Sequence, residues 1–136
     1  MALVVPEDLL NAAIKVRLAA YTPFSNFKVG AALLSETGRI LVGANVENSS
    51  YGLTRCAEQS AVLAMVSSGE RGFEAIVVYT DTDIPTTPCG ACRQILYEFS
   101  PKAHVFSVAS SGDVLHSLVS DLLPNGFTLD DPLLKT

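Results

Sequence analysis

All three cysteines of this 136-residue chain lie in one stretch, and their spacing limits what the chain can fold into. The stretch begins with Cys56-Ala57-Glu58 and ends with Pro88-Cys89-Gly90-Ala91-Cys92. Three thiolates suit a tetrahedral zinc ion and leave its fourth position open for water, as in catalytic sites. We therefore predict a fold that brings both ends together, with one zinc ion per chain and a general acid and base beside it. The predicted ligands are Cys56, Cys89 and Cys92, and the predicted acid and base is Glu58.

Three other interpretations of the cysteines stay open at this point. A structural zinc ion normally takes a fourth Cys or His, but we interpret His104 as an ordinary strand residue and His116 as a surface residue. Cys89 and Cys92 have the spacing of a thioredoxin-like redox pair, which leaves Cys56 unexplained. All three thiols could also be small buried hydrophobic groups. A catalytic zinc site accounts for every cysteine and for the neighbouring glutamate.

Charge and composition narrow the function classes. The net charge is −5, the sequence pI is about 4.8, and there is no run of Lys or Arg, so the basic stripe that a polynucleotide requires is missing. The length fits a single domain over residues 1–136, and no apolar stretch is long enough to span a bilayer. The start of the chain does not read as a secretory signal, and an odd number of cysteines suits a reducing compartment. We expect a cytoplasmic protein that acts on a small, uncharged or weakly charged molecule.

The spacing of apolar residues predicts a mixed sheet with helices on both faces, because a hairpin is followed by alternating helices and strands. The second helix is rich in Ala and Leu, which suggests burial on most of its sides. The tail after Phe127 is expected to be irregular. The predicted elements are a helix over 7–21, strands over 27–35 and 39–45, a helix over 56–68, a strand over 73–80, a helix over 90–100, a strand over 104–109, and a strand or helix over 114–123.

Both cysteine-bearing helices follow a loop at the end of a strand, so they can start at the same edge of the sheet. A C-x-x-C motif at a helix start places two sulfur atoms on one side of the first turn. Helix N-termini carry partial positive charge and unpaired N–H groups, and both favour thiolates. The predicted elements therefore allow the three cysteines to meet.

Several further segments resemble the small, homotetrameric cytidine deaminases. The Cys-Ala-Glu and Pro-Cys-x-x-Cys motifs mark zinc deaminases in general, whereas Phe27, Asn45 and Glu47 narrow the resemblance to nucleoside deaminases. The resemblance implies a three-layer α/β/α fold with a central mixed five-stranded sheet. The matching segments, which together run nearly from end to end, are 21–33, 43–51, 56–58, 88–94 and 122–127.

The resemblance also implies an activity, namely hydrolysis of cytidine and deoxycytidine to uridine and deoxyuridine with release of ammonia, in pyrimidine salvage. A zinc-bound hydroxide would attack the ring carbon that bears the amine, while Glu58 carries protons to the ring nitrogen and the departing amine. Asn45 and Glu47 would hold the ribose hydroxyls, and Tyr51 and Phe127 would enter a neighbour's pocket in a tetramer. The full set of implied nucleoside-binding residues is Phe27, Asn45, Glu47, Tyr51, Ala57 and Phe127.

Taken singly, these residues have simpler explanations that remain open. Asn45 and Glu47 can point to one side and bind a diol, but they also fit a turn residue and a solvated carboxylate. Phe27 fits a core position and Phe127 a local anchor. Rival functions are deamination of another amino-heterocycle, nucleoside binding without turnover, and polynucleotide editing, which the acidic charge disfavours. The mean hydropathy of +0.34 supports apolar surface buried between subunits.

One residue departs from the family pattern. Gln59 stands where tetrameric members of the family typically carry an arginine, yet a zinc ion with three thiolates and a hydroxide leaves negative charge to be offset. Arg93, which follows Cys92, matches a second family arginine, and Arg55 could contribute or simply be a surface loop charge. We hypothesise that Arg93 supplies most of the compensation, with help from the helix dipoles, and that Gln59 can donate a hydrogen bond to sulfur.

Overall fold

The computed structural model describes residues 4–129, which form a five-stranded mixed sheet between two layers of helix, as the sequence predicts. An irregular tail is expected after Phe127, and positions 130–136 of that tail lie outside the described residues. None of the helices within residues 4–129 has both the length and the apolar character needed to cross a membrane. In chain order the elements are α1 (Glu7–Arg17), β1 (Val29–Ser35), β2 (Ile40–Ala44), a 3₁₀ turn (Tyr51–Leu53), α2 (Ala57–Ser67), β3 (Phe73–Thr80), α3 (Gly90–Phe99), β4 (His104–Ala109), β5 (Val114–Leu118) and α4 (Val119–Leu122).

The strand order places the cysteines at one edge of the sheet. The order is β2-β1-β3-β4-β5, with β3 and β4 parallel and the other neighbouring pairs antiparallel. A parallel pair needs a crossover, and α3 supplies it between β3 and β4. Because β1 runs against both β2 and β3, the start of β1 lies beside the ends of β2 and β3. The loops that lead to α2 and α3 therefore leave the sheet on the same side.

Each face of the sheet has its own apolar core. On one face α1 buries Leu9 and Ala13, and on the other α2 buries Met65 and α3 buries Leu96. Each large apolar side chain that is fully buried stabilises the fold by about 1.5–3 kcal/mol. The buried strand residues facing α1 are Ala32, Ala75, Val77, Phe106 and Val108, and those facing α2 and α3 are Ala31, Leu33, Ile76, Val78 and Val105.

Two glycines let the helices approach the sheet backbone. A Cβ atom at Gly30 would lie 2.0 Å from the carbonyl oxygen of Ala13 in α1. A Cβ atom at Gly43 would lie 2.3 Å from the Ala61 nitrogen and 2.7 Å from the Ala57 oxygen, both in α2. Neither position can accept a side chain unless a helix moves, so these contacts set the distance between each helical layer and the sheet.

The first helix ends earlier than its sequence predicts, at Arg17 rather than Tyr21. The next residues form hydrogen bonds three positions back, and Tyr21 then pairs with the chain that follows β2. The Tyr21 N–H donates to the backbone carbonyl oxygen of Asn45, and the Tyr21 carbonyl accepts from the backbone N–H of Glu47. These contacts override local helix propensity.

Other boundaries shift by a few residues. The first hairpin strand begins at Val29, and Cys56 caps α2 rather than lying within it. The ambiguous stretch 114–123 holds both a strand, β5, and a short helix, α4. Six of the eleven residues of α2 are buried, in agreement with the expected burial on most sides, although Leu63 is 53% exposed.

Candidate metal centre and active site

The three cysteines come from the first residues of two helices. Cys56 is the N-cap of α2 and Cys89 the N-cap of α3, and both have extended backbone conformations. Their carbonyls accept the first helical hydrogen bonds, from Ser60 and Arg93, but neither side chain caps its own helix. The sulfur atoms are therefore free to face one another, and Cys92 joins them from the first turn of α3.

The sulfur geometry fits a zinc ion. The Sγ atoms of Cys56 and Cys89 are 4.0 Å apart, those of Cys89 and Cys92 are 3.4 Å apart, and all three lie within 4.8 Å of one another. A tetrahedral zinc ion with Zn–S bonds of about 2.3 Å requires S···S distances of about 3.8 Å. None of the three cysteines is in a disulfide. Among residues 4–129 this is the one group of His, Cys, Asp or Glu side chains with such a geometry.

The thiols influence one another strongly. A hydrogen bond with Cys92 lowers the pKa of Cys56 to about 7. The same contact, together with burial, raises the pKa of Cys92. The pKa values of these two thiols are thus shifted in opposite directions, and a divalent cation would favour the thiolate form of the whole group.

Glu58 lies in the first turn of α2 and is only 5% exposed. Burial raises the pKa of its carboxyl group, because the charged form loses its hydration. A raised pKa makes the carboxylate a stronger base, so this group takes up a proton more readily than an exposed glutamate does. Its side chain faces the same cavity as the three cysteines.

That cavity has a volume of about 190 Å³ and opens beside a shallower cleft of about 330 Å³. Thr54 lines both spaces. A larger, open hollow of about 650 Å³ lies at the other ends of β3 and β4, but it contains no cysteine and stays outside the site. The residues that line the cavity are Phe27, Val29, Asn45, Thr54, Cys56, Ala57, Glu58, Thr86, Thr87, Cys89 and Cys92, and those of the cleft are Phe24, Ser25, Glu47, Tyr51 and Thr54.

Asn45 and Glu47 lie in neighbouring parts of this site. The Asn45 amide is 8% exposed, accepts from the Val29 N–H at 2.8 Å and donates to the Phe27 carbonyl at 2.8 Å. The Glu47 carboxylate accepts hydrogen bonds from the Ser25 hydroxyl and from the N–H groups of Phe24 and Ser25. The Ser25 hydroxyl is the main reason that the pKa of Glu47 is lowered. Both side chains are therefore fixed, and their binding role stays a prediction.

The three predicted aromatic residues are all exposed and differ in their position relative to the cavity. Phe27 is 41% exposed and lines the cavity, whereas Tyr51 is 74% exposed in the 3₁₀ turn. The Tyr51 ring packs edge to face on Phe24, with centroids 5.5 Å apart. Phe127 is 67% exposed and lines neither the cavity nor the cleft of its own chain.

The groups considered for charge compensation differ in their contacts. Gln59 is 4% exposed, and its Nε2 donates to the Cys92 sulfur at 3.5 Å, while its Oε1 has no partner among residues 4–129. The positive charge of Arg55 contributes to the lowered pKa of Cys56. Arg93 donates to the Pro88 and Leu122 carbonyls and to the Thr87 hydroxyl. The hypothesis that Arg93 supplies most of the compensation therefore remains a prediction.

Two features were missed by the sequence interpretation. Thr54, Thr86 and Thr87 line the cavity, but threonines in polar loops carry no distinctive signal in a single sequence. The two histidines lie on β4 and β5, where His104 Nδ1 and His116 Nε2 form a hydrogen bond of 2.9 Å. Neither histidine belongs to the group formed by Cys56, Cys89 and Cys92, which agrees with the prediction that the ligands are the three cysteines.

The fold and the donor set together define an α/β protein with a buried carboxyl group beside a three-cysteine metal site. A sequence profile described as "Cytidine and deoxycytidylate deaminase zinc-binding region" matches residues 5–108. The chain belongs to this family, and zinc is the metal that its cysteine group is built to hold.

Individual relatives agree with the family assignment. A cytidine deaminase of Halalkalibacterium halodurans is 48% identical over 126 residues, which are 92% of this chain and 96% of that protein. The crystal structure of a cytidine deaminase from Burkholderia pseudomallei has a TM-score of 0.87 and 44% identity, covering 91% of this chain and all of that one. A structure of cytidine deaminase from Mycobacterium tuberculosis has a TM-score of 0.77 and 38% identity, with 90% and 96% coverage.

Proposed function

We propose that this protein is a zinc-dependent enzyme that hydrolyses cytidine and deoxycytidine to uridine and deoxyuridine with release of ammonia. The observation that carries the proposal is the single cavity that holds three converging cysteine sulfurs and the buried Glu58 carboxyl group. A metal held only for structure would not need a carboxyl group buried beside it, because that burial costs free energy.

Cys56, Cys89 and Cys92 would hold the zinc ion in this proposal, and three protein ligands would leave its fourth position for water. Bound there, zinc would lower the pKa of a water molecule to about 7 and so supply a nucleophile at neutral pH. The reduced thiols that this site requires support the cytoplasm as its location. We propose that residues 1–136 act as one domain, because residues from β1 to α3 contribute to the same site.

Glu58 moves the protons of the reaction. Its carboxylate takes a proton from the attacking water and delivers it to the ring nitrogen next to the reacting carbon. Glu58 then transfers the second proton of that water to the amine, which leaves as ammonia. The raised pKa of Glu58 favours the first transfer, because it makes the carboxylate a stronger base towards the proton of the water.

The cavity and the cleft divide the nucleoside between them. The base lies in the cavity, against Phe27, with its edge towards the backbone at Ala57. The sugar lies between the cavity and the cleft, where Asn45 on the cavity side has spare amide hydrogen-bonding capacity and Glu47 on the cleft side accepts from a hydroxyl. The cleft offers the Glu47 carboxylate and, among its lining residues, no lysine or arginine. A 5′-phosphate would meet a negative charge there, so we propose a nucleoside rather than a nucleotide substrate.

We further propose that the protein works as a homotetramer in which neighbours complete each site. Tyr51 and Phe127 are exposed and do not line the cavity of their own chain, as expected for side chains that enter a second subunit. The exposed Leu63 on α2 also supports a covered helical face in the assembly.

One experiment on purified protein tests the activity. Loss of cytidine absorbance is followed for the wild type and for Glu58→Gln, and zinc is measured in both samples. We expect turnover of cytidine and deoxycytidine with one zinc per chain, and a zinc-loaded but inactive variant. Cytidine monophosphate and a free aminopyrimidine serve as competing substrates, and faster turnover of either would overturn the substrate assignment. Full activity with less than one zinc per chain would overturn the mechanism.

A further inference from the structure

The segment that ends in Phe127 combines an exposed ring with an anchored backbone. The Phe127 ring is 67% exposed, but its carbonyl oxygen accepts a hydrogen bond of 2.9 Å from the Gln94 side-chain amide. Gln94 lies on α3, two residues after the zinc ligand Cys92. An exposed aromatic ring whose backbone is tied down is poised for an external partner rather than for its own core.

The residue before Phe127 is held just as closely. A Cβ atom at Gly126 would lie 2.8 Å from three ring atoms of Tyr97, so the chain lies against the face of that ring. Asn125 precedes it with φ of 54°, in the left-handed region that asparagine tolerates better than most residues. The turn before Phe127 is therefore specified by its own sequence and by α3.

The same helix thus carries two zinc ligands and holds the C-terminal segment. Arg93 extends the attachment further back, because its Nη1 donates to the Leu122 carbonyl at 3.0 Å. Gln94 and Tyr97 then fix the position of residues 126–127. The direction in which Phe127 points is consequently set relative to the metal site and not by a free tail.

We infer that Gln94, Tyr97 and Gly126 form a C-terminal clamp that positions Phe127 for the nucleoside site of a second copy of this chain. The inference rests on the proposed function, in which a neighbour completes each site. The clamp residues do not touch substrate, since none of them lines the cavity or the cleft. They are positioning residues that act on a partner subunit through Phe127.

The first test is Gln94→Met, which keeps the side-chain length but removes the donor to Phe127. We expect KM for cytidine to rise about fivefold, because a misplaced aromatic ring loses part of its stacking on the base, while kcat and zinc content stay within about twofold. Lys102→Met is the matched control, since Lys102 is exposed beyond α3, and its KM should equal that of the wild type. An unchanged KM in Gln94→Met would overturn the clamp.

Mixed oligomers separate a role in the partner from a role within the same chain. Gln94→Met subunits are co-assembled with a large excess of Glu58→Gln subunits, which have no proton carrier but an intact clamp. The active sites of the Gln94→Met subunits then receive Phe127 from Glu58→Gln neighbours, so their KM should return to the wild-type value. A KM that stays high would show that Gln94 acts within its own chain and would overturn the inference.

Gly126→Ala provides a second variant in case Gln94→Met does not fold. Its methyl group forces either the Tyr97 ring or the segment to move, and we expect the same rise in KM and the same rescue in mixed oligomers. Failure of the clamp is distinguishable from failure of the proposed function. A wild-type protein without cytidine turnover would overturn the function, whereas an active wild type with insensitive clamp variants would overturn the clamp alone.

Discussion

The cysteine centre, made of the three cysteines and Glu58, differs sharply from the aromatic rim, made of Phe24, Phe27, Tyr51 and Phe127. In the centre, Cys92 is 1% and Glu58 5% exposed, Cys56 is half-buried and Cys89 is exposed, whereas all four rim residues are between 41% and 74% exposed. A single chain therefore supplies a complete set of reactive groups but an incomplete enclosure. In the proposed homotetramer, the reacting groups would come from one chain, and neighbouring chains would complete the enclosure of the substrate.

The two regions also rest on different kinds of structure. The centre is built on the first turns of α2 and α3, and both helices pack on the sheet. All four rim residues lie outside the α-helices and β-strands, since Phe27 precedes β1 and Tyr51 lies in the 3₁₀ turn. Reacting groups need fixed geometry, whereas residues that surround a ligand tolerate adjustment.

Loss of a ligand should have the largest effect, because the centre depends on all three sulfurs. In Cys92→Ser we expect little bound zinc and a loss of turnover of at least about 10³-fold, since a neutral hydroxyl is a much poorer zinc ligand than a thiolate. Metal analysis and the cytidine absorbance assay measure both quantities. A Cys92→Ser protein with one zinc per chain and normal turnover would contradict the assignment of Cys92 as a ligand.

Glu58→Gln should leave the metal in place while removing the proton carrier. The expected loss in kcat is about 10²–10⁴-fold, the usual contribution of general acid and base catalysis. Zinc content should stay at one per chain, which separates this variant from the cysteine variant. If zinc were lost as well, Glu58 would be supporting the metal site rather than the reaction.

Phe127→Ala tests the rim and should act mainly on binding. We expect KM for cytidine to rise about tenfold with a smaller change in kcat, because an aromatic contact with a base contributes about 1–3 kcal/mol. Leu115→Ala, at a 51% exposed apolar position on the edge strand β5, is the matched control and should behave like the wild type. Equal kinetics for the two variants would indicate that Phe127 is a local anchor within its own chain.

Arg93→Gln should have an intermediate effect on the charge around the thiolates. If Arg93 supplies most of the compensation, zinc affinity should fall about tenfold, as for other groups that support a metal site from outside its ligands. Competition with a chelator measures this affinity. Unchanged zinc content and turnover would contradict the hypothesis and leave compensation to Arg55 and the helix dipoles.

Gln59→Met should have the smallest effect of this series. It removes the hydrogen bond to the Cys92 sulfur, which is long at 3.5 Å, and also removes the buried Oε1 that has no partner among the described residues. Loss of the hydrogen bond weakens the site, whereas removal of an unpaired buried oxygen stabilises it. We therefore expect zinc affinity to fall by no more than about threefold. A loss larger than that of Arg93→Gln would make Gln59 the main support of the thiolates.

The sequence predicts the centre better than the rim, for a physical reason. The bounds of β3 and β4 are predicted to the residue because each is a buried apolar run between polar turns. The cysteines are identified by a ligand spacing that few other functions require. The end of α1, by contrast, depends on pairing between Tyr21 and the chain after β2, and such a contact leaves no local pattern.

The contacts of individual side chains could not be predicted in the same way. Nothing in the sequence distinguishes Thr86 and Thr87 from other loop threonines, because their role depends on which loop closes over the cavity. The attachment of Arg93 to Leu122 joins residues that are far apart in the chain. Contacts of this kind become visible only when the layers have been assembled.

The close contact at Gly43 gives the site a built-in length scale. The Ala57 carbonyl, which packs against Gly43, lies between Cys56 and Glu58. The absence of a side chain at Gly43 therefore sets the distance of Cys56 and Glu58 from the sheet. A displacement of about 1 Å in a reacting group can cost about 10²-fold in rate. Gly43→Ala adds a methyl group outside the cavity, where it does not contact the nucleoside. We expect it to slow the reaction, because it increases the distance of Cys56 and Glu58 from the sheet.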